Sequence, residues 1–130
     1  MSAATLRTAA SIARTDVSWA AYGQRVTGEH VAAHLDAARE RVAKVGWHSH
    51  GMTTNLFGQL TAAAERGRGS ASTRFVAGLV ILAVLRARTG ASIASHEVWE
   101  RQEGRTRDDV QQLLLDAAAV ARDAGPKEGS

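Results

Sequence analysis

The sequence predicts an all-α protein, a single compact bundle of four to five helices, on three observations. Its one proline, Pro126, lies almost at the end of 130 residues, so nothing earlier imposes a kink or removes a backbone donor. Apolar residues recur at helical period over several long stretches. Aromatics make up only 5% of a chain that is 45% hydrophobic, which leaves Ala, Val and Leu to fill the core, and alanine favours helices that approach closely. The length suits one hydrophobic core, and 22% charged residues is ordinary for a folded domain.

Residues 1–27 are weakly patterned and are expected to form an N-terminal arm, partly ordered or a short helix, with the arm as the leading reading. Leu6, Ala9, Ala10 and Ala13 would line one face of such a helix, and Val17, Trp19 and Tyr22 would dock on the body. A helical domain over 28–125 follows. Val31, Leu35, Ala38, Val42 and Val45 predict a helix from Gly28 to Val45, capped by Thr27 and ended by Gly46. After a loop with Gly51, Leu56, Leu60, Ala63 and Ala64 predict a helix from Asn55 to Arg66.

Gly67-Arg68-Gly69-Ser70 reads as a flexible connection. Thr73 to Arg88 is apolar nearly all round, as the central helix of a bundle should be. Ala91 to Glu103 reads as a short helix or turn centred on Ile93, Val98 and Trp99. The last helix opens after Gly104 with Thr106 as cap and Asp108 and Asp109 in its first turn. Val110, Leu113, Leu114, Ala117, Ala118 and Ala121 make its apolar face, and Gly125-Pro126 begins a C-terminal tail over 126–130.

The chain has no cysteine, which removes disulfides and thiolate metal sites and fits a reducing compartment. Its first residues lack the apolar run of a signal peptide, and the longest apolar stretch, Phe75 to Leu85, is too short to cross a membrane. A cytoplasmic location with no membrane partner is the expectation. Net charge is only +3, but 14 of the 16 basic residues are Arg. Arg66, Arg68, Arg74, Arg86 and Arg88 lie between Glu65 and Glu97 with no acid among them, whereas the chain from Glu97 onward has eight acids and five bases. Such asymmetry fits either an anionic partner such as nucleic acid or two faces of one bundle attracting each other.

Four constellations could carry chemistry. His30 and His34 lie one helical turn apart, with His48 and His50 in the next loop, a set that could ligate a metal through nitrogen; histidines that bind nothing are the leading reading. Glu97, Glu100 and Glu103 alternate with Arg101, Arg105 and Arg107, the pattern of a solvated, salt-bridged surface rather than an acid/base pair. Gly67 to Ser70 lacks the Gly-Lys-Ser/Thr ending of a phosphate loop. Trp47 and Trp99 are expected to cap opposite ends of the core, with a binding platform as the alternative.

Gly46-Trp47 after an amphipathic helix, Leu56-x-Gly58 opening an Ala-rich helix, and Trp99 followed by Gly104-Arg105-Thr106 and Asp109-Val110 together form a pattern. It resembles a family of small uncharacterised proteins of actinobacteria and their phages, over about Glu29 to Arg122. The closing motif of that family is Trp-Asn-Asp, then Gly-Arg-Thr and an acid-Val pair; here Glu100 and Arg101 replace Asn-Asp. Asn55 stands where the family tends to have Cys, and the loop after Gly-Trp is short. The resemblance implies a helical domain and no particular activity. As local structure, Trp99 would pack, Gly104 turn, Arg105 tie the turn and Thr106 cap the helix leading to Val110.

With no coherent catalytic set, the leading expectation is a non-enzymatic interaction or regulatory module, phage- or mobile-element-related, whose partner is another protein or a second copy of itself. The answer to whether it is an enzyme leans to no, and no cofactor is implied. The alternatives are a nucleic-acid accessory protein using the five arginines and a histidine-based metal-dependent enzyme.

Overall fold

The computed structural model describes residues 2–92 and 94–129. Its fold is all-α apart from one tiny hairpin: α1 (Ala3–Asp16), β1 (Ala20–Ala21), β2 (Gln24–Arg25), α2 (Gly28–Val45), α3 (Leu56–Glu65), α4 (Ala71–Thr89), α5 (His96–Glu100) and α6 (Arg107–Ala124). Every described helix starts at a side-chain cap, in order Ser2, Thr27, Asn55, Ser70, Ser95 and Thr106, each accepting a backbone N–H from the first turn. Such caps satisfy donors that the helix itself cannot. Ser70 with Thr73, and Thr106 with Asp109, do so reciprocally. The expected helices correspond to α2 through α6; Ile93, named for the α5 region, and Met1 and Ser130 of the termini lie outside the described residues.

Helix α4 is central: it touches each of the other five described helices and β1. Val76, Ala77, Val80, Ile81, Ala83, Val84 and Leu85 are its buried apolar residues, so little of its circumference is left for water. The broadest helix pairing joins α2 to α6. Val31, Leu35, Ala38 and Val42 meet a core completed by Val110, Leu113, Leu114, Ala117 and Ala121. Arg122 of α6 locks the same seam at the surface, reaching Glu29 at 2.9 Å and Asp36 at 2.8 Å on α2.

Of the two forms expected for residues 1–27, the helix is the one present. α1 runs for 14 residues and buries Ala9, Ala10 and Ala13 against α4 and α6. Alanine gives a weak hydrophobic signal in sequence, yet it lets backbones come close. Val17 is buried and Trp19 half-buried as expected, whereas Tyr22 is 68% exposed at the tip of the hairpin. The Gly67–Ser70 connection is not slack either. The N–H groups of Gly67 and Arg68 return to Ala64 and Ala63 carbonyls at 3.0 and 2.9 Å, closing α3 in a Schellman motif with Gly67 at φ +79°. Gly69 then lies flat on the His34 ring, where any Cβ would collide.

Candidate functional site

Four elements, α3, α4, α5 and the hairpin, converge on an apolar groove of about 320 Å³. Helix α3 supplies Leu56, Phe57 and Leu60, α4 supplies Arg74, Phe75, Gly78, Leu79, Ile81 and Leu82, and Tyr22 and His96 close its ends. Three rings stand at its rim in contact with water: Tyr22, Phe57 at 51% exposed and Phe75 at 48%. Tyr22 meets Phe75 edge-on, with centroids 6.0 Å apart, and the Arg74 guanidinium lies 5.1 Å from the centre of Phe57. Both geometries are favourable for aromatic and cation–π contacts and hold the rim in shape.

The chain puts residues here that its own stability disfavours. Tyr22 is the only described non-glycine residue with positive φ, at 51°, in a two-residue turn with Gly23 at 75°. A primed hairpin turn wants Asn or Gly at that position, and a bulky residue there is strained. The Ser72 hydroxyl of α4 fixes this turn over the groove by donating to the Ala21 carbonyl at 2.9 Å. Gly78 sits in the middle of the central helix, and a Cβ placed on it would meet nothing within 4 Å. Among the described residues no close packing therefore requires a glycine that weakens the helix. Arg74 occupies the first turn of α4, which holds no acid, although the positive end of a helix dipole disfavours a cation. Finally, His96 Nδ1 is buried without a hydrogen-bond partner.

A polar cluster also joins α3 to α5 and to the end of α2, and it is closed. Glu100, only 2% exposed, accepts on one carboxyl oxygen from the Trp47 indole N–H at 2.9 Å and from the Leu56 backbone N–H at 2.6 Å. Gln59, fully buried, donates to the Gly46 carbonyl at 2.9 Å and accepts from Arg41 at 3.2 Å. The expectation of a solvated Glu97, Glu100 and Glu103 surface is thus corrected at Glu100. So is the placing of the two tryptophans at opposite ends: Trp47 bonds to the residue adjacent to Trp99.

A family model described as a family of unknown function, DUF6197, matches residues 26–120, which is well over half the chain. The chain belongs to this family. No curated protein and no solved structure gives a match.

Within the DUF6197 domain the sequence-singled residues fall into separate places. In the closing segment Trp99 is buried under the Arg105 guanidinium, 3.9 Å from its ring centre, and Arg105 Nε donates to the Trp99 carbonyl at 2.9 Å. Gly104 turns the chain at φ +82°, Thr106 caps α6 and Val110 is in the core. Asn55 caps α3 by accepting the Gly58 N–H at 2.7 Å, and a Cβ on Gly58 would strike the backbone of Met52 and Thr53.

The five arginines singled out in the DUF6197 domain, Arg66, Arg68, Arg74, Arg86 and Arg88, are not gathered on one face. Arg68 pairs with Glu40 at 2.9 Å, Arg86 with Asp16 at 2.8 Å and Arg88 with Asp116 at 2.7 Å. Arg66 is exposed at the end of α3, and Arg74 stands at the groove. At about 100° per residue, Arg86 and Arg88 leave α4 roughly 200° apart. Three of the five, Arg68, Arg86 and Arg88, answer acids elsewhere in the fold.

Nor do the histidines converge, and among the described residues no group of three or more His, Cys, Asp or Glu is placed to hold a metal. His30, His48 and His50 are exposed, and His30 lies 3.9 Å from Glu128. His34 is 1% exposed, with Nε2 2.8 Å from the Leu60 carbonyl and Nδ1 2.7 Å from the Thr73 hydroxyl. A carbonyl only accepts, so Nε2 carries the proton and Nδ1 accepts from Thr73. Burial pushes the His34 pKa below its ordinary value, outweighing the Leu60 bond that raises it, and nearby Arg74 lowers it further. Both ring nitrogens are already used in tying α2 to α3 and α4.

Sequence reasoning passed over Tyr22, Phe57, Gly78 and His96 as site residues and weighed Arg74 for nucleic acid and as an aid to phosphate binding beside Gly67–Ser70. Two signals were available: a glycine interrupting an otherwise continuous apolar helix, and a Tyr-Gly pair next to short extended runs.

Proposed function

We propose that this protein is a non-enzymatic binding module whose working surface is the groove between α3, α4 and the hairpin, and that it binds another protein. The observation that carries this reading is the concentration, around one cavity, of residues that disfavour the isolated fold: a strained tyrosine, an unneeded mid-helix glycine and a cation at a helix start. Residues retained against stability mark places where function sets the choice. Exposed aromatic rings at a concave apolar surface are the composition of interface cores. A setting in the cytoplasm of an actinobacterium or its phage belongs to the same proposal, supported by the motif around Trp99 and the cysteine-free composition.

The test is a photo-reactive residue placed at Phe75 in the living cell, with a control at the equally apolar, exposed Leu115 on α6. A discrete protein adduct at position 75, absent at 115 and suppressed by Gly78→Leu, is expected. Adducts of equal yield at both positions would overturn the assignment to the groove. Turnover of any substrate that disappears on changing Arg74 or His96 would overturn the non-enzymatic part.

A further inference from the structure

The charged groups of the groove say which partner fits. Among the described residues, Arg74 and His96 are its only ionisable basic lining residues, and no acid lines it. On the same helix Arg86 and Arg88 are each answered by a carboxylate, Asp16 and Asp116. Among the described residues no carboxylate answers Arg74. Its guanidinium rests on the Phe57 ring, which orients it while leaving its N–H groups without a protein acceptor. The positive end of α4, with no acid in its first turn, adds to the same field. An apolar cavity with a cation fixed at its edge attracts an apolar group that carries a negative charge beside it.

We infer that the groove takes a protein segment presenting one large apolar side chain beside a carboxylate, the side chain lying against Phe57, Phe75 and Gly78 and the carboxylate pairing with Arg74. This rests on the reading of the groove as a protein-binding surface. Gly78 fits the role, since its missing side chain lets an occupant approach the α4 backbone. A second copy of the chain is a poorer occupant. Among the described residues, the large apolar residue that is exposed and directly adjacent in sequence to an exposed acid is Val98, beside Glu97, and valine underfills 320 Å³.

The test pans a library of short random peptides on the full chain and measures affinities of the enriched ones by fluorescence anisotropy. Enriched peptides should share Phe, Trp or Leu next to Asp or Glu. Gly78→Leu should abolish binding, and Arg74→Gln should weaken it about tenfold, or ~1.4 kcal/mol. Changing the acid of the peptide to Asn should weaken binding to the native chain equally, and should add nothing in Arg74→Gln. Thermal melts establish that both variants fold, and Phe75→Ala replaces Gly78→Leu should the latter melt early.

Peptides blocked by Gly78→Leu but indifferent to Arg74→Gln, or carrying a neutral or basic consensus, overturn this inference and leave the groove reading in place. Peptides that bind Gly78→Leu as well as the native chain overturn the groove reading itself. A dimer in sedimentation that Gly78→Leu and Val98→Asp both dissociate overturns the separate partner in favour of a second copy.

Discussion

Helix α3 has two sides that solve opposite problems. Toward α5, Glu100 gathers the Trp47 indole and the Leu56 amide, while Gln59 ties α3 to the end of α2, so the buried polar groups find partners. Toward α4, Leu56, Phe57 and Leu60 border a groove where, among the described residues, His96 Nδ1 has no hydrogen-bond partner and Arg74 has no carboxylate. The first side behaves as a core should, since a buried polar group left unpaired costs ~1–3 kcal/mol. The second departs from that rule at several neighbouring residues at once. The contrast separates what this domain needs in order to fold from what it keeps for another purpose.

Breaking the closed side should give the largest effect. Glu100→Ala strands two donors and is expected to lower stability by about 3 kcal/mol in urea unfolding. Glu100→Gln keeps an acceptor in place and should lose far less. Equal losses in the two variants would show that packing, and not acceptance, is what the residue supplies.

His34 is a separate closed contact, tying α2 to Leu60 of α3 and Thr73 of α4, and His34→Ala should cost about 2 kcal/mol through the unpaired Thr73 hydroxyl and the vacated space beside Gly69. Its pH dependence has a definite sign. With the folded pKa below the unfolded one, the unfolded chain takes the proton first as pH falls. Stability from this group is therefore complete above the unfolded value, about 6.5, and declines as pH drops toward the folded value. Melting temperatures of the native chain between neutral and mildly acidic pH should show that decline, and His34→Ala should flatten it.

On the open side the expected effects are smaller and reversed. Gly78→Ala should stabilise the fold by about 1 kcal/mol, because the methyl meets nothing and the helix gains propensity. Tyr22→Asn should stabilise by about 0.5 kcal/mol, the relief of positive φ exceeding the lost contact with Phe75. Destabilisation by both would remove the contrast between the two sides.

The sequence carried the main helices well where periodicity and punctuation agreed. Thr27 and Thr106 were legible as caps, and the apolar run from Thr73 marked the centre, because those signals are local. What it hid was of two kinds. Alanine-lined α1 gave no strong pattern, since its partners are small and lie far away in the chain. Glycine-rich Gly67–Ser70 looked slack, because a Schellman closure and a ring contact with His34 depend on residues outside the segment. Glu100 was misjudged for the same reason: alternation with arginine is a surface pattern until Trp47 and Leu56 are brought to it. The groove was invisible, being made by four elements that meet only on folding.

Helix α1 bears on the order in which the molecule comes apart. The residues it buries fully are all alanine, its ties at Asp16–Arg86 and Arg14–Asp123 lie at the surface, and it precedes the family match that begins at residue 26. Small side chains remove little apolar area from water, and surface ion pairs add under ~1 kcal/mol each. α1 is therefore expected to lift from the seam of α4 and α6 as a unit, at a free energy below that of global unfolding. In hydrogen exchange its amides should form a separate, earlier class, ahead of those of α2, α4 and α6.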